Sequence, residues 1–165
     1  EVFRLLENSI SKFPRQRAIQ TLITDRDDVE YDFNVSDNQG GSSSIFEFDG
    51  HEKMYPGVGT DRVIKMRSIT LDTAIDRFAI SKSLDTLVLD TQGSELLVLK
   101  GGTQALARIN WILAECADFS AYKMGCQCSE IGEFLLEHGF HEHRRFEKAT
   151  KEGVGTYFDI LYVRG

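Results

Sequence analysis

A chain of 165 residues, 41% hydrophobic and 27% charged, has the length and composition of one globular domain, and its 11 Phe need an interior. A formal net charge of -7 argues against a nucleic-acid partner held through its phosphates and leaves a small molecule as the expected ligand. No apolar run is long enough to span a bilayer and no signal-peptide pattern opens the sequence, so no membrane partner is expected and the three cysteines read as reduced thiols in a cytoplasmic compartment.

The opening EVFRLLENSISKF carries Val2, Leu5, Leu6, Ile10 and Phe13 at helical spacing, and Pro14 stops the pattern. That pattern begins at Glu1 without an initiator Met, so the chain reads as a piece of something longer. Residues 17–24 predict a strand, 25–28 a turn, and 29–35 a half-exposed antiparallel strand by their alternation. Residues 36–44 form a loop by composition and 45–48 a short strand. The stretch 49–61, with three glycines and a proline, is expected to be a surface excursion. Residues 62–67 alternate again, and Thr70 suits the N-cap of a helix over 71–78.

From residue 86 the rhythm changes. Residues 86–89 read as a strand buried on both faces that ends at Asp90, and a helix begins near Ser94 with Glu95 against its N-terminal dipole. Gly101 and Gly102 break that helix, 103–109 add a turn or two, and 111–116 make a second apolar strand. Ser129 is placed to cap a helix through His138, with Gly139 as its left-handed C-terminal residue. Residues 140–146 and 156–163 close the chain as a hairpin around a loop at 148–155. The resulting β-α-β-α-β-β order predicts an α/β fold with a mostly parallel sheet. Ligands of such sheets bind beyond the carboxyl ends of the strands, where Asp90 and Glu115 stand.

Asp90, Gln92, Glu95 and Glu115 are therefore the first candidates for chemistry. A carboxylate at a strand end, followed by a glycine-containing turn, can orient a substrate hydroxyl or take its proton. Spacing alone favours a plainer role, with Asp90 and Ser94 capping the helix and Glu95 answering its dipole. The loop Gly40-Gly-Ser42-Ser43-Ser44 clusters hydroxyls but lacks the lysine of a phosphate loop, and by itself reads as a flexible connection. His141 and His143 share a strand face without a third metal ligand, no nucleophile elbow accompanies any serine, and Cys126 and Cys128 are too close for a zinc half-site.

One stretch goes further. LDTLVLDTQGSELLVLKGG resembles the signature of FkbM-type S-adenosylmethionine-dependent methyltransferases, which read "ID-lKiDveG-E-eVLkGa". GGSSSI, VIKMRSITLD, WILAEC, SEIGEFLLEHGF and YFDILYVRG are similar to further segments of that family in the same order. The resemblance implies a class I methyltransferase fold: a Rossmann-like, mostly parallel sheet with helices on both faces and an antiparallel C-terminal hairpin. It implies that residues 1–165 are a single domain whose first strand, glycine-rich cofactor loop and ribose-holding acid would precede Glu1. It implies S-adenosylmethionine as cofactor and a hydroxyl on a sugar or other small metabolite as methyl acceptor. Asp90 would take the hydroxyl proton or contact the methionine end of the cofactor, with Glu95 as the second catalytic candidate. Ile23, Thr24 and Asp25 would approach the adenine, and Ser42, Ser43, Ser44, Gln92 and Glu115 would help form the acceptor site. Gln92 departs from the family's more frequent glutamate and cannot act as a base. That departure, together with the cofactor loop expected upstream of Glu1, leaves an alternative, a non-catalytic remnant serving as a binding or assembly module, with a homo-oligomer open.

Overall fold

The structure is a computed structural model that describes residues 2–80 and 84–165. The helix expected from Glu1 is α1 (Val2–Ile10); Glu1 itself lies outside the described residues. No residue of α1 is buried, and Val2, Leu5 and Leu6 are exposed. The next strand shrinks to β1 (Leu22–Thr24), whereas the alternating stretch forms β2 (Glu30–Ser36) close to its expected bounds. The predicted excursion contains a short helix, α2 (His51–Met54), that buries both of its end residues. The short strand expected at 45–48 is reduced to isolated bridges, Asn34 with Ser44 and Phe48 with Tyr122. β3 (Thr60–Thr70) runs straight into α3 (Leu71–Arg77), whose N-cap Thr70 accepts from the Thr73 N–H at 3.1 Å as its sequence position predicts.

In the second half, β4 (Thr86–Leu89) leads through a tight turn to α4 (Glu95–Lys100) and α5 (Thr103–Leu106), and β5 (Trp111–Ala117) to α6 (Cys128–Glu137). α6 is capped by Gln127 rather than Ser129: the Gln127 side chain and Glu130 satisfy each other's backbone N–H groups in a capping box. Gly139 takes the left-handed conformation, φ 83°, and turns the chain into β6 (Phe140–Lys151) and β7 (Gly155–Arg164). That hairpin is longer than its sequence suggested, because the exposed polar residues beyond Phe146 keep pairing with β7.

The expectation of one mostly parallel sheet is corrected. The strands form two mixed sheets, β1-β3-β2 and β4-β5-β7-β6. Among the described residues, only β1 with β3 and β4 with β5 are parallel; β2 with β3, β5 with β7 and β6 with β7 are antiparallel. β4 is correspondingly an edge strand rather than one buried on both faces, and Val88 is 65% exposed. The main core lies where α4, α5 and α6 cover the larger sheet, around Leu99, Leu106, Ile112, Ile131, Leu135 and Ile160. Each such side chain contributes about 1.5–3 kcal/mol of burial.

Among the contacts that tie the halves together, two are made at α4 and α5. The Asp72 carboxylate on α3 accepts the Gln104 and Ala105 N–H groups at 3.0 and 2.8 Å, which caps α5. At the end of α4, a Cβ on Gly101 would stand 2.1 Å from the Thr24 carbonyl oxygen, so only glycine lets β1 pack there. Cys116 and Cys128 are joined as a disulfide, with Cα atoms 5.1 Å apart, linking β5 to the start of α6. The reading of all three cysteines as reduced thiols is thereby corrected; Cys126 alone is free. Among the described residues, no helix is long and apolar enough to cross a membrane.

Candidate functional site

The β4–α4 turn positions the site. Gln92 and Gly93 both have positive φ, 54° and 95°, so the chain reverses within two residues and throws the Gln92 side chain outwards. Glu95, in the first turn of α4, locks this reversal from behind. Its Oε1 accepts the Thr91 N–H at 2.7 Å and the Thr91 hydroxyl at 3.1 Å, and its Oε2 accepts the Gly93 N–H at 3.0 Å. The Cys126 thiol approaches the same carboxylate at 3.5 Å. Glu95 is 2% exposed, and burial pushes its carboxyl above the ordinary range despite the N–H groups that pull the other way.

In front of the turn, the Gln92 amide nitrogen donates to Asp90 and to Glu115, the latter at 2.9 Å. Its carbonyl oxygen accepts the Tyr122 hydroxyl at 2.6 Å. With a carboxylate on either side of the nitrogen, the amide can face only one way. The Ser44 hydroxyl completes the clamp by donating to the Gln92 backbone carbonyl at 2.7 Å. Glu115, on β5, also receives Lys148 Nζ from β6 at 2.6 Å, and Lys148 lies 3.6 Å from Asp159. Burial and the neighbouring Asp90 raise the Glu115 carboxyl to about 7, against the pull of Lys148.

Asp90, Gln92, Glu115 and Lys148 form one wall of an open cleft of about 290 Å³; Asn38, Ser42, His51, Tyr55 and Tyr157 contribute to the other. His51 is held by its backbone N–H on the Ala121 carbonyl at 3.0 Å. Its ring stacks on Phe48 with centroids 5.0 Å apart. Nδ1 lies 2.7 Å from the Tyr157 hydroxyl and Nε2 lies 3.0 Å from Ser42 Oγ. Burial holds the imidazole below its usual pKa, so it is neutral at neutral pH.

The residues singled out from the sequence thus divide. Asp90, Gln92, Glu115 and Ser42 meet at the cleft. Glu95 does not line it: its oxygens are engaged beneath the turn, which makes it a positioning residue. Ser44 supports Gln92, and Ser43 accepts the Ser36 N–H at 3.1 Å, so the glycine-serine loop is pinned to β2 rather than free. Ile23, Thr24 and Asp25 stand at the end of β1 in the other sheet, with Thr24 fully buried and Asp25 paired to Arg26 at 3.4 Å; none of them lines the cleft. Sequence reasoning missed His51, Tyr55, Tyr122 and Tyr157. The available signal was His51 and Tyr55, at helical spacing from Phe48, inside the stretch 49–61 read as a surface excursion.

Residues 2–142 match the methyltransferase FkbM domain. The chain belongs to the FkbM methyltransferase family. A comparison with curated proteins gives no match. Among solved structures, the chain is similar to magnesium protoporphyrin IX methyltransferase (ChlM) from Synechocystis PCC 6803, solved with bound SAM, at a TM-score of 0.41 and 16% identity over 70% of this chain. The chain spans about half of that enzyme, 51%. In this FkbM domain, the family stretch around residue 90 is the segment that builds the carboxylate wall of the cleft.

Proposed function

We propose that the protein transfers a methyl group from S-adenosylmethionine to a hydroxyl of a sugar or other small metabolite bound in the cleft. The observation that carries this reading is Asp90 at the carboxyl end of β4, tied through Gln92 to the second carboxylate, Glu115, within a domain matched to the FkbM family. Strand ends in α/β sheets are where ligands lodge. The donor set in the cleft fits the cationic amino-acid end of the cofactor, because two carboxylates converge there and, among the described residues, Lys148 is the one lysine that lines it. Asp90 would hold that end, and the Glu115–Lys148 pair would receive polar groups of the acceptor. When bound, S-adenosylmethionine supplies an electrophilic methyl carbon on a leaving group that needs no activation. The protein's share is then to align the acceptor oxygen and to remove its proton.

Titration calorimetry with S-adenosylmethionine tests this. The folded protein is expected to bind it, and Asp90→Ala to weaken binding about ten- to a hundredfold, the loss of one hydrogen bond to a charged group. An unchanged melting curve would show that the variant remains folded. No binding by the well-folded protein would overturn the proposal and favour the non-catalytic binding module.

A further inference from the structure

Facing the cleft is a further group able to take the proton that a neutral hydroxyl loses when it accepts a methyl group. We propose that His51 is the proton acceptor of the reaction, reached through the Tyr157 hydroxyl, with Ser42 fixing the ring's other nitrogen. This rests on the methyl-transfer reading. His51, Tyr157 and Ser42 all face the cleft, yet each is less than a tenth exposed, so their mutual contacts are sheltered from bulk water.

The hydrogen-bond inventory around the ring decides the direction of the relay. The Asn38 amide oxygen accepts from the Ser36 hydroxyl at 2.6 Å and from the Ser42 N–H at 3.2 Å, which fixes its nitrogen as a donor to Ser42 Oγ at 2.9 Å. Tyr157 lies closer to the ring than Ser42 does, 2.7 against 3.0 Å. An aryl O–H is also a stronger donor than an alkyl one, although burial pushes the Tyr157 phenol above its usual range. Tyr157 O–H therefore donates to Nδ1, and the ring's own proton sits on Nε2 and is donated to Ser42 Oγ. Ser42 then accepts from both Asn38 and His51, and its hydroxyl hydrogen is left for an oxygen in the cleft.

In the transfer step, the acceptor's O–H proton passes to the Tyr157 oxygen as the Tyr157 proton passes to Nδ1. The freed electron pair on the acceptor oxygen forms the bond to the methyl carbon, and the pair of the breaking carbon–sulfur bond returns to sulfur. The positive charge lost by the sulfonium reappears on the imidazolium, so the charge of the cleft does not change. Both imidazolium N–H groups then have oxygen acceptors, Tyr157 and Ser42. Phe48, Tyr55 and Tyr122 surround the ring without charge, while Asp90, Glu115 and Lys148 line the same cleft.

The tautomer of His51 tests the relay without any turnover. In nitrogen-15 spectra of the histidine-labelled protein at neutral pH, His51 is expected as the Nε2–H form, with Nδ1 at the position of a hydrogen-bonded acceptor nitrogen. Tyr157→Phe should shift the Nδ1 resonance towards that of an unbonded imidazole nitrogen. Ser42→Ala should shift the Nε2–H signal and spare Nδ1. An Nδ1–H tautomer in the unaltered protein overturns the relay, since no lone pair would face Tyr157; so does an Nδ1 resonance that Tyr157→Phe leaves in place. Should either variant fail to fold, the tautomer of the unaltered protein still supports or overturns the relay. Calorimetry keeps the two readings apart. Expected tautomer without S-adenosylmethionine binding overturns methyl transfer, whereas binding with the wrong tautomer overturns only the relay.

Discussion

Gln92 holds two carboxylates together through a single nitrogen, a pair of contacts that a glutamate carboxylate could not donate. A glutamate there would add a third negative oxygen between Asp90 and Glu115 and give Tyr122 nothing that the amide oxygen does not already offer. Crowding persists even so, and it shows in Glu115. Its folded pKa of about 7 lies above the ordinary carboxyl value of 4.5. Between those two values the folded protein keeps a proton that the unfolded chain has released, so stability falls as pH rises through that window. Glu115→Gln removes the titrating group. Urea unfolding of both proteins from about pH 5 to about pH 7.5 should show the variant gaining on the parent as pH rises, by on the order of 1 kcal/mol or more. A constant difference across that range would mean that Glu115 ionises normally.

At the scale of the element, the β4–α4 turn gives Glu95 partners that spacing alone does not show. A glutamate in the first turn of a helix is read as a dipole partner or as an exposed acid, yet here the backbone reverses so tightly that its N–H groups point inward and need an acceptor. Glu95 supplies two oxygens for them, and the exposed side of the turn is left to Gln92. Glu95→Ala would orphan the Thr91 and Gly93 N–H groups at a cost of about 1–3 kcal/mol each. Glu95→Gln keeps one acceptor oxygen and should lose less. Chemical denaturation ranks the two variants, and equal losses would show that the carboxylate's charge, rather than its pair of oxygens, is what matters.

At the scale of the whole molecule, the larger sheet and its helices form one packed body, and the smaller sheet is attached to it by a few specific contacts: the Asp72 cap, the close approach at Gly101 and the glycine-serine clamp on Gln92. The Cys116–Cys128 disulfide, closing a separation of 12 residues, joins the end of β5 to α6 directly behind the cleft. Reducing it should lower stability by about 3 kcal/mol, read as a drop in melting temperature on adding a thiol reductant. A melting temperature indifferent to reductant would show that this link does not constrain the unfolded chain. By itself the sequence determined the elements with strong local signals: β2, the Thr70 cap, β5, the Gly139 turn and the closing hairpin. It also pointed to the family stretch that carries Asp90, because periodicity, capping and turn chemistry are written into neighbouring residues. Only the tertiary structure decided that the strands split into two mixed sheets, that β4 lies at an edge, and that Glu95 supports the turn instead of lining the cleft. It alone brought His51 to Tyr157 across 106 residues of sequence. Strand order, sheet edges and long-range side-chain contacts arise from how separate segments bury one another, and no window of local sequence contains both partners.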